Sequence, residues 1–387
     1  MTTLSEPSAT AQKHSEQLSL LIQEHIALAG GWLDFSSFMQ LALYAPGLGY
    51  YSAGRQKFSQ MQKDGGDFVT APEMTSLFGR TIAQQVAQIF QAMRGDLLEL
   101  GAGTGKLAAD LLLALADLDC LPQQYFILEV SDHLRQVQLE TLQATLPAAL
   151  LQRVQWLHAL PAAFEGVILA NEVLDAVPVH LVHATERGLL ERGVAWQDGF
   201  VWQDKAIAES HLLSLAEQQN LPIGYLSEFS PAATALVSSL ALSLQQGAII
   251  LIDYGFSARE YYHPQRNQGT LMCHYQHHAH PDPLVNIGLQ DITAHVDFTS
   301  VAYAGVNHGL ILAGFCSQAQ FLMNAGMLKL MAQVSPDDVR RYAPLAAAAQ
   351  KLLSPAEMGD IFKVMALIKN LDTALIGFSQ GDKSHTL

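Results

Sequence analysis

The chain has 387 residues, half of them apolar and 15% charged, and 21 Lys+Arg against 36 Asp+Glu leave a formal charge of −15. That composition supplies a large hydrophobic core and excludes a disordered chain. The acidic excess argues against a general nucleic-acid binder, because phosphate binding needs a basic surface. The cysteines Cys120, Cys273 and Cys316 are far apart and form no CxxC pair, so neither a disulfide framework nor a zinc ribbon is predicted.

Residues 1–17 are rich in Ser, Thr, Ala and Glu, without the apolar run of a signal peptide or the arginines of a transit peptide. A disordered tail and a cytoplasmic protein are expected. Helical spacing over residues 18–29 stops at Gly30-Gly31, and Asp34 is placed to cap a second helix running to Leu43. Residues 46–72 are dense in Gly, Tyr and turn formers and read as a long ordered loop, which is usually functional. A helix over 75–93 follows, closed by Gly95, so residues 18–95 form an N-terminal helical region with an active-site loop.

From residue 96 the pattern changes. Apolar runs at 97–100, 126–130, 154–157 and 167–170 alternate with helical stretches, the signature of a parallel sheet with right-handed crossovers. Residues 179–202 read instead as a β-meander, with turns at Glu186-Arg187-Gly188 and Gln197-Asp198-Gly199. A buried strand at 248–252 ends in Asp253-Tyr254-Gly255, a histidine-rich segment follows, and Asp297 is placed to cap a helix. Two late strands at 310–315 and 362–368 complete an α/β core over 96–387, with insertions at 179–246 and 256–296. No Asp, Glu, Lys or Arg occurs between 298 and 328, yet Asn307, Gly309, Gly314, Gln318, Gln320 and Asn324 interrupt the run. A buried helix, strand and second helix is predicted there, with no membrane insertion.

The sharpest local signal is Glu99-Leu100-Gly101-Ala102-Gly103-Thr104-Gly105, between an apolar strand and a helix over 106–115. Glycines let the backbone turn tightly and approach a ligand, and the helix N-terminus offers free N–H groups. A dinucleotide fingerprint wants G-x-G-x-x-G, but the third position here is Lys106, so the match is G-x-G-x-G. A carboxylate two residues before the first glycine makes this similar to motif I of class I S-adenosylmethionine (SAM) methyltransferases, where the acid helps hold the methionyl end; a purely structural tight turn is the alternative. The second strand ends at Glu129, 28 residues after Gly101, where a carboxylate can accept both ribose hydroxyls. That supports a nucleoside ligand without choosing among nucleosides. The two closing strands suit a seven-stranded methyltransferase sheet better than the six-stranded sheet of a nicotinamide dehydrogenase.

The fourth strand runs into Ala170-Asn171-Glu172-Val173-Leu174-Asp175-Ala176-Val177-Pro178. Ligands of open parallel sheets lie beyond the strands' carboxyl ends, so Asn171 is a candidate cofactor contact and Glu172 and Asp175 are candidate catalytic carboxylates. They are spaced i, i+3 and would face one acceptor if that turn is helical. Helix capping by Asn171 is the alternative.

Taken together, these residues resemble the MidA-type SAM-dependent methyltransferases. The resemblance runs through Gly49-Tyr50-Tyr51, the block 66–73, the 99–105 loop, Glu129-Val130-Ser131, the block 170–178, Asp253-Tyr254-Gly255 and the block 291–298. It implies a class I methyltransferase Rossmann-like fold, SAM as cofactor held by Glu99, Gly101, Gly103, Gly105, Glu129 and Asn171, and an acceptor site drawing on Phe68, Thr70, Asp253, Tyr254 and His295. Eukaryotic members of the family are mitochondrial arginine methyltransferases serving complex I assembly, so the implied substrate is a protein arginine, in a complex I subunit or its equivalent. A catalytically silent SAM-binding assembly factor is the alternative, and a homodimer is left open. Two departures stand out: the segment 273–280 is richer in histidine than the family pattern, and Gly103-Thr104-Gly105 replaces the commoner Gly-Arg-Gly. His274, His277, His278 and His280 lack a cysteine pair or H-E-x-x-H, and Pro281 and Pro283 point to an exposed loop, so no metal site is predicted.

Overall fold

In the computed structural model, which describes residues 4–53 and 70–387, the apolar runs read above as strands line up as one sheet. Its seven main strands are β1 (Asp96–Leu100), β2 (Tyr125–Leu128), β3 (Val154–Leu157), β4 (Phe164–Asn171), β5 (Leu244–Phe256), β6 (Ile311–Ser317) and β7 (Phe362–Lys369), and a short eighth, Val296–Asp297, pairs with the end of β5. Their spatial order is β6-β7-β5-β4-β1-β2-β3. β1 to β5 pair in parallel, while β7 lies antiparallel between β5 and β6. This is the class I methyltransferase sheet.

β4 and β5 read as continuous apolar runs because both faces of a parallel sheet are covered by helices. Those helices include α1 (Ser76–Ala92), α2 (Lys106–Asp117) and α3 (Asp132–Thr145). Leu77, Ile82, Leu107 and Leu111 from the helices share one core with Val167, Ile250 and Val364 from the sheet. Truncating one such leucine to alanine typically costs about 2–5 kcal/mol. β5 is longer than the predicted 248–252, so Asp253-Tyr254-Gly255 lie inside the strand. Tyr254 is opposite Phe362, and Gly255 is opposite Val296 of a two-residue strand that the sequence reading missed. The stretch 298–328 is indeed helix (Phe298–Val306), strand (β6) and helix (Gln318–Asn324). Asp297 caps the first of them by accepting from the N–H of Thr299 and Ser300. No helix among the described residues is long and apolar enough to cross a membrane.

The chain divides into two compact units, of which this sheet with residues 70–174, 235–258 and 296–387 is one. The other joins the described part of 1–69 to 175–234 and 259–295, so most of both predicted insertions belong with the first part of the predicted N-terminal region, while its residues 70–95 belong with the sheet. Its first helix, Ala9–Leu28, corrects the predicted tail: Ser8 accepts from the N–H of Ala11, and Leu18, Ile22 and Ile26 repeat every four residues on a buried face. Asp34 caps the next helix, Phe35–Tyr44, as expected, accepting from the N–H of Ser37 at 2.8 Å. The meander is present as His180–Thr185, Gly188–Trp196 and Phe200–Ala206, all antiparallel.

The histidine-rich segment is also corrected. It is a hairpin, Met272–Tyr275 with His278–His280, extended by Asp291–Thr293, and not an exposed loop. Gln276 and His277 both have positive φ, as a two-residue primed turn requires. That turn normally uses Asn-Gly, so the sequence carried no hairpin signal.

Candidate cofactor and active site

The sheet order reverses between β1 and β4, which opens a crevice at the carboxyl ends of these two strands. Gly101, Gly103 and Gly105 have φ of +59°, +53° and +85°, a region that L side chains rarely adopt. Their surroundings differ. A Cβ on Gly105 would meet the backbone of Gln138 at 3.1 Å, whereas a Cβ on Gly103 would meet nothing within 4 Å. Gly105 thus packs the loop against α3, and Gly103 faces open space. α2 starts directly after, with Gly105 as its N-cap. The Thr104 hydroxyl donates to Glu73, tying the loop to the short helix Ala71–Met74. Thr70 sits at the N-cap position of that helix but makes no side-chain cap bond.

Glu99 is buried, 2% exposed, and its Oε2 accepts from the Tyr125 hydroxyl at 2.6 Å. Burial pushes its carboxyl up to about 7, with the Tyr125 bond opposing the rise and the charge of Glu129 adding to it. Glu129 follows β2 directly. Its Oε1 accepts from the N–H of Ser131 at 2.9 Å and its Oε2 from Gln138 Nε2 at 3.1 Å. Burial raises its pKa, while both of these donors favour the charged form. The backbone N–H of Val130 also favours that charged form. The next side chain, Val130, is 79% exposed.

After β4 the predicted helical turn is absent: residues 172–178 form bends and turns, and Glu172 itself has φ +53°. Glu172 and Asp175 therefore do not share a helical face. The cause is Asp253, 1% exposed, whose Oδ2 accepts from the N–H groups of Val173 at 3.2 Å and Leu174 at 2.9 Å. The Glu172 N–H donates to the carbonyl of Ile252. Asp253, expected to touch substrate, has its carboxylate on the backbone of the 172–178 loop. Tyr254 packs edge-on against Phe362. Asn171 Nδ2 donates to Glu172 Oε1 at 3.0 Å, and its buried Oδ1 has no hydrogen-bond partner among the described residues.

The remaining predicted site residues lie in the other unit. There the backbone carbonyl of buried Asp175 accepts from the N–H of Ala294, and the N–H of His295 donates to Thr270 Oγ1 at 3.0 Å. Thr270 is anchored by the buried carboxylate of Glu228, which accepts from the N–H groups of Thr270 and Leu271. Sequence reasoning missed a tyrosine cluster beside them. The Tyr51 hydroxyl donates to Asp291 Oδ1 at 2.9 Å, Tyr44 stacks on Tyr51 at 5.5 Å and Tyr50 packs edge-on at 5.0 Å. Burial raises the Tyr51 hydroxyl well above its usual pKa, followed by the charges of Asp291 and, after Tyr44, Asp175. Phe68 lies outside the described residues. Among the described residues, the one group of potential metal ligands within 4.8 Å of one another is Asp34, His180 and Glu191. The clustered histidines of 274–280 are not part of it.

Comparison with known proteins decides the cofactor. Residues 81–316, well over half of the chain, match the family of S-adenosyl-L-methionine-dependent methyltransferases. The chain belongs to that family. It is also similar, at 49% identity with a TM-score of 0.95 over all of both chains, to a crystal structure from Burkholderia thailandensis bound to S-adenosyl-homocysteine. Curated relatives are more distant. The Danio rerio protein named "Protein arginine methyltransferase NDUFAF7, mitochondrial" is 27% identical over 92% of this chain and 88% of its own. The Homo sapiens protein of that name is 26% identical over 87% and 80%. SAM is the cofactor, and the site suits it: open space at Gly103, spare acceptor capacity on Glu129 and an unmatched acceptor on Asn171.

Proposed function

We propose that this methyltransferase acts on a protein arginine side chain, with a complex I subunit or its bacterial equivalent as the target. The observation that carries the cationic acceptor is the cluster of Tyr44, Tyr51, Asp291 and Asp175, in which two carboxylates act on the hydroxyl of a stacked tyrosine. Carboxylates and aromatic faces are what a planar guanidinium seeks. Protein arginine as the target draws further support from the names of the animal relatives.

SAM supplies an electrophilic methyl on a sulfonium. The chain's part is to orient the acceptor and take its proton. Positioning alone can remove about 7–11 kcal/mol of a barrier. An arginine has a pKa above about 12, so its proton leaves during or after attack. Glu172, half-buried and held by Asn171, is assigned as the base, and Asp175 with Asp291 as the groups that orient the cation. Glu99, Gly101, Gly103, Gly105, Glu129 and Asn171 hold the cofactor, while Thr70, Tyr254 and His295 are kept as acceptor contacts. A cytoplasmic location is part of the same reading, although the animal relatives carry the word mitochondrial in their names.

The test is mass spectrometry of proteins from cells with and without the chain, looking for a methylarginine that disappears. Persistence of every methylated peptide while a small metabolite loses its methyl group would exclude a protein acceptor. In vitro, Glu172→Gln should abolish transfer from radiolabelled SAM while still binding S-adenosyl-homocysteine. Tyr51→Phe should raise KM for the protein acceptor several-fold and leave cofactor affinity unchanged. Absence of transfer to any fraction by the native chain would favour a silent assembly factor.

A further inference from the structure

We infer that Gln138 is a positioning residue of the cofactor site, aligning the Gly103 peptide and the Glu129 carboxylate as one rigid ribose-binding edge. Gln138 lies on α3, fully buried. Its Oε1 accepts from the indole N–H of Trp156 at 2.9 Å, which fixes the amide's orientation. The two hydrogens on Nε2 then point at two acceptors: the carbonyl of Gly103 at 3.1 Å and Glu129 Oε2 at 3.1 Å. A planar amide carries an acceptor oxygen and two N–H donors in a fixed fork, so here both donors and the oxygen are engaged.

The consequences reach the ligand through two routes. A trans peptide is planar, with its carbonyl and following N–H pointing oppositely, so pinning the Gly103 carbonyl to Gln138 aims the Thr104 N–H away from α3. On the other side, the bond to Oε2 stops the Glu129 carboxylate from rotating and favours its charged form, the form that accepts two ribose hydroxyls. One turn earlier on α3, Arg135 donates from Nε to the carbonyl of Glu129 at 2.8 Å and from Nη2 to that of Leu157 at 2.7 Å. α3 therefore holds Glu129 by its backbone through Arg135 and by its carboxylate through Gln138. Removing Gln138 should free the carboxylate and leave the backbone in place.

The test uses the full chain and titration with S-adenosyl-homocysteine between pH 5.5 and 8.5. Losing a bond to a charged group corresponds to about 10- to 100-fold, so Gln138→Leu should raise Kd at least about 10-fold at pH 8. Because the lost donor favoured the carboxylate, the acidic fall in affinity should begin at a higher pH than in the native chain. A role confined to packing would leave that pH profile where it was. In a Glu129→Gln background the same substitution should cost clearly less. If Gln138→Leu does not fold, Gln138→Glu keeps the shape and sets a second carboxylate against Glu129 and the Gly103 carbonyl. That variant should bind poorly at pH 8 and recover as pH falls and the introduced carboxyl is protonated. An unchanged Kd and pH profile in the folded variant, or undiminished loss in the Glu129→Gln background, would overturn the inference.

Discussion

The glycine loop contains a built-in control experiment, because Gly103 and Gly105 share a left-handed backbone but not their surroundings. An alanine at either position pays roughly 1–2 kcal/mol for adopting that region with a Cβ. At Gly103, φ +53°, nothing lies within 4 Å of the new methyl, so the conformational term is the whole cost. At Gly105, φ +85°, the methyl meets Gln138 Cα at 3.1 Å and its carbonyl oxygen at 3.3 Å. Backbone atoms yield less than a side-chain tip, and crowding a packed site adds about 1–3 kcal/mol. Gly105→Ala should therefore destabilise the apo protein by about 2–5 kcal/mol and Gly103→Ala by no more than about 2 kcal/mol. Ligand response should run the other way. Saturating S-adenosyl-homocysteine at 100 times its Kd stabilises the native chain by about 2.7 kcal/mol, and on the proposal that this loop holds the cofactor Gly103→Ala, whose methyl enters the open space, should lose most of that gain. Urea denaturation with and without ligand, together with isothermal titration, measures both quantities. If Gly103→Ala is as unstable as Gly105→Ala, or keeps the full ligand shift, the division of labour between the two glycines is wrong.

Glu99 makes stability depend on pH with a defined sign. Its folded pKa of about 7 stands above the 4.5 of the unfolded chain, so the folded state holds the extra proton between those values and this group's contribution falls as pH rises through that window. Glu99→Gln should match the native chain near pH 4.5 and exceed it by up to about 3 kcal/mol at pH 8, read from denaturation curves at both pH values; equal stability at pH 8 would show that the carboxyl is solvated. Asp253→Ala leaves the N–H groups of Val173 and Leu174 without their acceptor, at about 1–3 kcal/mol for each buried group. It should also release Glu172, so that kcat falls at least 10-fold while S-adenosyl-homocysteine affinity changes little, and an unchanged kcat would remove Asp253 from the account of the active site.

Much of the fold was legible because its signals are short-range. A strand covered on both faces announces itself as a run such as Ala248-Ile249-Ile250-Leu251-Ile252, and a cap such as Asp34 or Asp297 is separated from the N–H it accepts by two or three residues. The glycine loop is of the same kind, since three glycines within five positions specify the backbone. Where the reading failed, the deciding partner was remote or the local cue was atypical. The helix expected over Glu172 and Asp175 is pre-empted by a carboxylate some 80 positions later, on β5. The first helix begins at Ala9 because Ser8 supplies a cap within residues whose composition reads as a tail.

Gln138 shows why the same asymmetry runs through the site. A glutamine on an amphipathic helix carries no local sign of its partners, and only the fold sets Gly103, Glu129 and Trp156 around Gln138, at separations of 35, 9 and 18 residues. The groups that touch a ligand must present particular atoms, so their types and short spacings are constrained and visible. Those that hold them in place need only the correct donors and acceptors in three dimensions, which several residue types at many sequence distances can supply. Asp253, Glu228 and Gln138 are all of the second kind, each bonded to groups remote from it in sequence.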